Sequence, residues 1–293
     1  MNHEQFIYQP DKKQRLADFD PDFTNGFGSE REAQERMQED VAEMAKYHDI
    51  LMAHETNGLL VVFQAMDGAG KDATIKNVMS ALDPQGCEMK MFKAQTEKEL
   101  KHDYLRHAAQ SVPARGQIGI FNRSYYEHVI VERIHPEKLE QQKLPRAAMK
   151  KDIWEKRFRH INNFEEYLLD NGIHTLKFFL NLSKDEQREK LLERMERNDK
   201  RWKFSREDLE DREHWDEYMK VYEEAFERTS TEIAPWHIIP DNHRWFARAA
   251  VASIILAKLK SLHAQYPTAD EKQKKEMAQA RKSLRREKPT TKK

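Results

Sequence analysis

The sequence predicts an α/β fold in which a parallel sheet of five strands is sandwiched between helices. Three observations lead there. Short apolar runs alternate with segments of helical spacing along most of the chain. The first run, Leu59-Leu60-Val61-Val62-Phe63, is continuous rather than alternating, as in a strand covered on both faces, and is too short to cross a membrane. It leads into a glycine turn, Asp67-Gly68-Ala69-Gly70-Lys71, and then into helically spaced Ile75, Val78, Met79 and Leu82. Strand, glycine turn and helix in that order form a cradle for an anion, because the turn's N–H groups and the positive end of the helix face the same point.

In chain order, residues 1–28 carry Pro10, Pro21, Gly26 and Gly28 among polar residues and read as an irregular arm. Ser29 with Glu32 has the spacing of a capping box and opens a helix to about residue 54, with Met37, Val41, Met44, His48 and Leu51 on its apolar face. After the cradle, Asp83-Pro84-Gln85-Gly86 is turn chemistry and residues 87–92 read as a second strand. Thr96 with Glu99 starts a helix expected to reach about residue 111, before Pro113 and Gly116. Residues 118–121 are the third strand, ending in Asn122-Arg123. Ser124 and Glu127 repeat the capping spacing ahead of Val129, Ile130 and Ile134.

Residues 135–145 read as a polar connection and 146–170 as a long helix closed by Asn171-Gly172. Residues 176–182 are the fourth strand, and Ser183 with Glu186 caps a helix to about residue 197. Residues 198–204, NDKRWKF, form a basic aromatic loop; a helix runs from Ser205 to about residue 229. Residues 236–239 are a fifth strand and 245–262 a closing helix. From 271 to 293 the chain has ten Lys or Arg against three acids, which reads as a charged or frayed helix end. The expected organisation is therefore an arm (1–28), one α/β domain (29–265) with a lid at about 184–228, and a basic tail (266–293).

Lys+Arg and Asp+Glu are 51 each, so the formal charge is zero and a globally basic nucleic-acid binder is not expected. The single cysteine, Cys87, excludes an internal disulfide or a cysteine metal cluster and suits a reducing compartment. The first residues carry no apolar leader, and no run approaches a membrane span, so a cytoplasmic chain without membrane contact is expected.

Phosphoryl transfer needs positioning and positive charge around the moving group. Lys71 sits in the cradle, Lys93 follows the second strand and Arg123 the third, where α/β proteins build their sites. Arg188, Arg194, Arg197, Lys200, Arg201 and Lys203 lie on or beside the loop that would close as a lid. The cradle departs from GxxxxGK[ST]: Ala65 replaces the first glycine and Asp72 the Mg²⁺-binding hydroxyl. Asn122 stands where a carboxylate would end the third strand, leaving Asp67, Asp72 and Glu127 as acids for a hard cation. Glu127 has two readings, a capping partner of Ser124 or a metal ligand. The thirteen histidines are scattered and form no triad, and a phosphate acceptor needs no strong base.

QAMDGAGKDATIKNVM, DPQGCEMKMFK, IGIFNRSYYEHVIVERI, RWKFSREDLEDREHWDEYMKVYEEAF and STEIAPWHIIPDNHRWF together resemble the polyphosphate kinase 2 family. The likeness is strongest to its third class, which phosphorylates nucleoside mono- and diphosphates from polyphosphate, and it covers about residues 30–265. It implies a P-loop kinase fold similar to thymidylate kinase, with a Walker A-like block at 67–72, a Walker B-like block at 121–127 and a helical lid module. It implies that Asp67 and Glu127 hold Mg²⁺, with Mn²⁺ able to substitute, and that Asp72 is a catalytic carboxylate beside Lys71 and Arg123. Gly68, Ala69, Gly70, Lys71, Asp72, Ala73, Lys93, Arg106, Arg123, Arg188 and Arg194 would contact phosphate or nucleotide. FNRSYYE resembles the third class, whereas the diphosphate-specific classes tend to carry FDRSWYN. The expected partners are inorganic polyphosphate, adenine and guanine nucleotides, and further copies of the chain in a homo-oligomer; no nucleic acid is expected. The alternatives are an ATP-dependent nucleotide kinase of the same fold and a non-catalytic polyphosphate-binding protein.

Overall fold

A computed structural model describes residues 1–286. The sheet has the order β2-β3-β1-β4-β5 with every neighbouring pair parallel. Its strands are β1 (Gly58–Gln64), β2 (Cys87–Met91), β3 (Ile118–Asn122), β4 (Ile173–Asn181) and β5 (Trp236–Pro240). The helices are α1 (Glu30–His54), α2 (Lys71–Val78), α3 (Arg106–Ala109), α4 (Val131–Ile134), α5 (Pro136–Gln141), α6 (Ile153–Asp170), α7 (Lys184–Glu196), α8 (Glu207–Glu213), α9 (Trp215–Thr229), α10 (Arg244–Ser261) and α11 (Glu271–Leu284).

The continuous apolar run places β1 at the centre, buried along its whole length. Leu59, Val61 and Phe63 face a core shared with α1, α2 and α10, and Leu60 and Val62 face a second core shared with α6 and α9. A strand with two apolar faces needs a helical layer on each, which accounts for the three-layer architecture. From β1 the chain goes to one side of the sheet, and from β3 it crosses to the other. The carboxyl ends of β1, β3 and β4 therefore open onto a common crevice.

The arm is packed rather than loose. Phe6 and Tyr8 are buried, and the Tyr8 N–H donates to the Trp236 carbonyl (2.9 Å), so the arm covers the free edge of β5. On the opposite edge, β2 leaves Met89 and Met91 exposed.

Several helices are shorter than their spacing predicts. The Thr96–Glu99 box forms, yet only a 3₁₀ turn follows (Glu99–Lys101), because His102 is extended; α3 is a separate short helix. The segment after Ser124 is a 3₁₀ turn (Tyr125–His128) followed by α4. The connection at 135–145 contains α5, which starts at Pro136, a residue suited to a first helical position. The helix expected from 146 starts at Ile153, and the one expected from 205 to 229 breaks at His214 into α8 and α9.

Two buried polar networks fix the walls of the crevice. Lys177 of β4 is fully buried and donates to Glu165 Oε2 (2.7 Å), the Tyr126 hydroxyl (2.9 Å) and the Thr229 carbonyl (2.7 Å). Glu165 Oε1 accepts from the Tyr125 and Tyr126 hydroxyls. Arg157 donates to Glu132 and to the His128 carbonyl (both 2.6 Å), and His128 is hydrogen bonded to Glu132. Satisfied charges in a dry interior hold their elements rigidly. Both networks anchor the turn that carries Glu127.

Candidate active site

The glycine turn is held open from outside. Gly68 and Gly70 lie in the left-handed region (φ 93° and 74°), a conformation that costs glycine little. Three of the loop's carbonyls are engaged by side chains. Lys71 Nζ donates to Ala65 O (2.8 Å), Gln187 Nε2 of α7 to Asp67 O (2.7 Å) and Arg244 Nη2 of α10 to Gly68 O (2.8 Å). Among the described residues, the N–H groups of Gly68, Gly70, Lys71 and Asp72 have no acceptor. Unused donors at the start of a helix are what an anion satisfies.

Around this cradle Lys71 and Arg123 rest on carboxylates, while Arg244 rests on the Gly68 carbonyl. Lys71 Nζ is 4.0 Å from Asp67. Arg123 Nη2 donates to Asp67 Oδ1 (3.0 Å), and Nη1 lies 3.9 Å from Glu127. Arg123 itself has φ 60°, a strained backbone for a non-glycine residue, fixed by its N–H donating to Phe63 O. Burial pushes the Lys71 ammonium down from its ordinary range, with Asp67 pulling it back up. Burial would raise Asp67, but Lys71 and Arg123 outweigh it and hold the carboxyl below its ordinary range. The Glu127 charge, outweighing burial, raises Arg123, which stays a cation at any working pH.

Asn122, which stands where a carboxylate would end the third strand, steadies a neighbouring acid, its Nδ2 donating to Asp72 Oδ1 (2.8 Å). Lys203, from the basic aromatic loop, donates to Asp72 Oδ2 (2.9 Å), bringing that loop over the cradle. Burial works upward on Asp72, and these two hydrogen bonds overcome it, so its carboxyl is lowered. Deeper in the lid, Arg194 pairs with Asp208 of α8 (2.5 Å). Burial, reinforced by the Asp67 charge, pushes Asp208 up to about 6.

Of the two readings of Glu127, the local hydrogen bonding leaves one without support. Ser124 Oγ accepts from Tyr126 N, and among the described residues no hydrogen bond joins the Glu127 side chain to Ser124. The carboxylates of Asp67 and Glu127 flank one guanidinium and remain open to solvent (22% and 21% exposed). Among the described residues no cluster of three or more metal-type side chains occurs. Two hard carboxylates beside an anion cradle suit Mg²⁺, which takes one or two protein ligands and completes its shell with phosphate oxygens and water.

A family model described as Polyphosphate kinase 2 (PPK2) matches residues 28–267. The chain belongs to the polyphosphate kinase 2 family. Its relatives include the AMP/ADP-polyphosphate phosphotransferase of Meiothermus ruber, 43% identical over 90% of this chain and 96% of that one. The ADP-polyphosphate phosphotransferase of Rhodopseudomonas palustris is 40% identical over 88% of this chain and 90% of its own length. The crystal structure of Polyphosphate Kinase 2 from Arthrobacter aurescens TC1 superposes with a TM-score of 0.83 at 38% identity, covering 94% of this chain and 98% of that one. The P-loop kinase-like fold expected from the resemblance is thus borne out.

Within this polyphosphate kinase 2 fold, Asp67, Gly68, Ala69, Gly70, Lys71, Asp72, Ala73, Arg123 and Glu127 gather at the carboxyl ends of β1 and β3. Arg194 and Lys203 approach from the lid. Arg188 is half exposed and pairs with Glu189 and Asp185 on its own helix, Lys93 is exposed beyond β2, and Arg106 lines a cleft along that edge with Lys90 and His107. Sequence reasoning missed Gln187, Arg244 and Asp208. Gln187 carries no charge to mark it. Arg244 follows β5 at its carboxyl end, a position that could have singled it out.

Proposed function

We propose that the chain transfers phosphoryl groups reversibly between inorganic polyphosphate and nucleoside mono- and diphosphates, taking AMP to ADP and ADP to ATP. The observation that carries this reading is the cradle: acceptor-less N–H groups, Lys71 and Arg123 converge beside two open carboxylates. The activities for which the Meiothermus and Rhodopseudomonas relatives are named support the choice of donor and acceptors.

In this account the cradle N–H groups and Lys71 hold the transferring phosphate, and Arg123 neutralises the charge that spreads over its oxygens. Asp67 and Glu127 would hold Mg²⁺, for which Mn²⁺ can stand in; the bound cation supplies charge neutralisation between phosphates. Asp72, fixed by Asn122, is the catalytic carboxylate, and it acts by holding the Lys203 ammonium where the acceptor phosphate will bind. The acceptor is already an anion, so no strong base is required. Incoming phosphate oxygens compete with Asp72 for Lys203, which couples substrate arrival to the lid.

We assign the moving part of the lid to α8, the loop before it and the end of α7 beyond Leu191, since Gln187 at the start of α7 is buried against the cradle. Within the expected lid at 184–228, α9 is anchored in the core by Trp215, Tyr218, Tyr222 and Phe226. Arg188, Lys93 and Arg106 would meet the distal phosphates or the nucleotide once the lid moves. The proposal extends to guanine nucleotides as further acceptors, a homo-oligomeric state and a cytoplasmic setting; among the described residues no helix is long and apolar enough to cross a membrane. A donor swap tests the core of it. With AMP as acceptor, polyphosphate should support ADP formation in the absence of ATP. Dependence on ATP as the donor would instead favour an ATP-dependent nucleotide kinase.

A further inference from the structure

The phosphate loop is pinned from the far side by a residue outside the cradle. Arg244 opens α10, directly after β5, far from the loop in sequence. Its Nη2 donates to Gly68 O (2.8 Å). Its guanidinium also packs close to the next glycine: a Cβ built on Gly70 would stand 3.1 Å from Arg244 Nε and 3.4 Å from Cζ. Gly70 suits the site for its left-handed backbone, and it leaves room for the guanidinium. Among the described residues, Arg244 Nε has no hydrogen-bond partner. The contact with Gly68 O is thus the specific one this side chain makes.

The peptide plane explains the consequence. Arg244 holds the Gly68 carbonyl, and the N–H of the same peptide unit, that of Ala69, donates back to Met66 O (3.4 Å), so this peptide is held on both sides. Gln187 holds the preceding carbonyl, Asp67 O, whose peptide N–H, that of Gly68, has no acceptor among the described residues. The two pins fix consecutive peptides, so the turn that carries the free N–H groups of Gly68, Gly70, Lys71 and Asp72 keeps its shape without phosphate to hold it. Orientation set in advance is what gives fixed dipoles their catalytic value.

We propose that Arg244 is a positioning residue of the phosphate loop, locking the Gly68–Ala69 peptide so that the turn's free N–H groups are held ready for phosphate before it arrives. Arg244 acts through the loop and does not contact the transferring group. This inference rests on the reading of the cradle as the polyphosphate-phosphate site.

The experiment compares Arg244→Gln and Arg244→Lys with the wild type. Thermal melts establish folding, calorimetry measures binding of inorganic tripolyphosphate without nucleotide, and steady-state kinetics use polyphosphate and ADP. For Arg244→Gln we expect kcat and tripolyphosphate affinity to fall by a factor on the order of ten to a hundred, with KM for ADP within about twofold. A lysine can still donate one hydrogen bond to Gly68 O, so Arg244→Lys should recover most of the loss. Wild-type kcat and tripolyphosphate affinity in folded Arg244→Gln would overturn the proposal. So would Arg244→Lys performing no better than Arg244→Gln. Should Arg244→Gln not fold, the tripolyphosphate affinity and kcat of Arg244→Lys decide: near wild-type values support the pin, and a hundredfold loss overturns it. A wild-type chain that binds tripolyphosphate yet never turns over polyphosphate would fail the functional reading while the binding comparison still tests the pin.

Discussion

Replacing Asp241 by asparagine should stabilise the fold by an amount that grows with pH. Asp241 follows β5, is fully buried, and among the described residues neither carboxyl oxygen has a hydrogen-bond partner. Burial pushes its carboxyl from 3.8 up to about 8, against the opposing pull of Arg244, Lys71, Arg248 and Lys190. The folded chain therefore keeps the acid protonated at neutral pH. Because the folded value is raised, the stability linked to this group is fully present below about pH 4 and is lost as pH rises towards 8. Each factor of ten between the two values is worth about 1.4 kcal/mol, so the wild type gives up about 2 kcal/mol by pH 5, about 4 by pH 7 and about 6 above pH 8. These are ceilings, since water entering around the ionised acid lowers the cost. An amide has no such term. Urea unfolding of both proteins at pH 5, 7 and 9 should show a stability gap that widens with pH and flattens above 8. A gap that stays constant across that range would mean that Asp241 is ionised throughout and that the reasoning is wrong.

Three other outcomes are expected. Lys71→Ala should lower kcat by a factor on the order of a hundred or more with an unchanged melting curve, because a cradle lysine meets charge that moves in the transition state; wild-type kcat at saturating substrates would remove Lys71 from the site. Glu127→Gln should depress turnover at low Mg²⁺ and shift the metal optimum upward, whereas near-normal rates there would take Glu127 out of metal binding. Deleting residues 271–293 should leave turnover of short polyphosphate within about twofold, since α11 contributes no buried side chain; loss of activity in a folded truncated protein would place the tail in the site or in an assembly contact.

The sheet was legible because β1, β3, β4 and β5 announce themselves as apolar runs, and β1 in particular could only be central; β2, with Glu88 and Lys90, is marked mainly by the turn before it. Helix lengths were less legible. The Thr96–Glu99 capping box formed as its spacing predicts, but a cap favours a start and does not guarantee the turns that follow. At the site, charged residues at strand ends could be read directly: Asp67, Lys71, Arg123 and Glu127 all converge. The role of Asn122 in holding Asp72 depends on two side chains meeting across the crevice from different elements. Gln187 and Arg244 act on backbone carbonyls, and no local pattern in a sequence reports which carbonyl a distant side chain will reach. Lys177 was hidden in the opposite way, as a charge inside an apolar strand whose partners, Glu165 and Thr229, lie on separate helices.

The central claim is direct phosphoryl transfer from polyphosphate to a nucleotide, and following the transferred phosphorus tests it most directly. Polyphosphate carrying labelled phosphate is mixed with ADP, Mg²⁺ and the purified chain, with ATP omitted. The label should appear in the γ-phosphate of newly formed ATP as the polymer shortens, and Lys71→Ala should abolish the transfer. Label that stays in the polymer, or is released only as inorganic phosphate, would contradict the account.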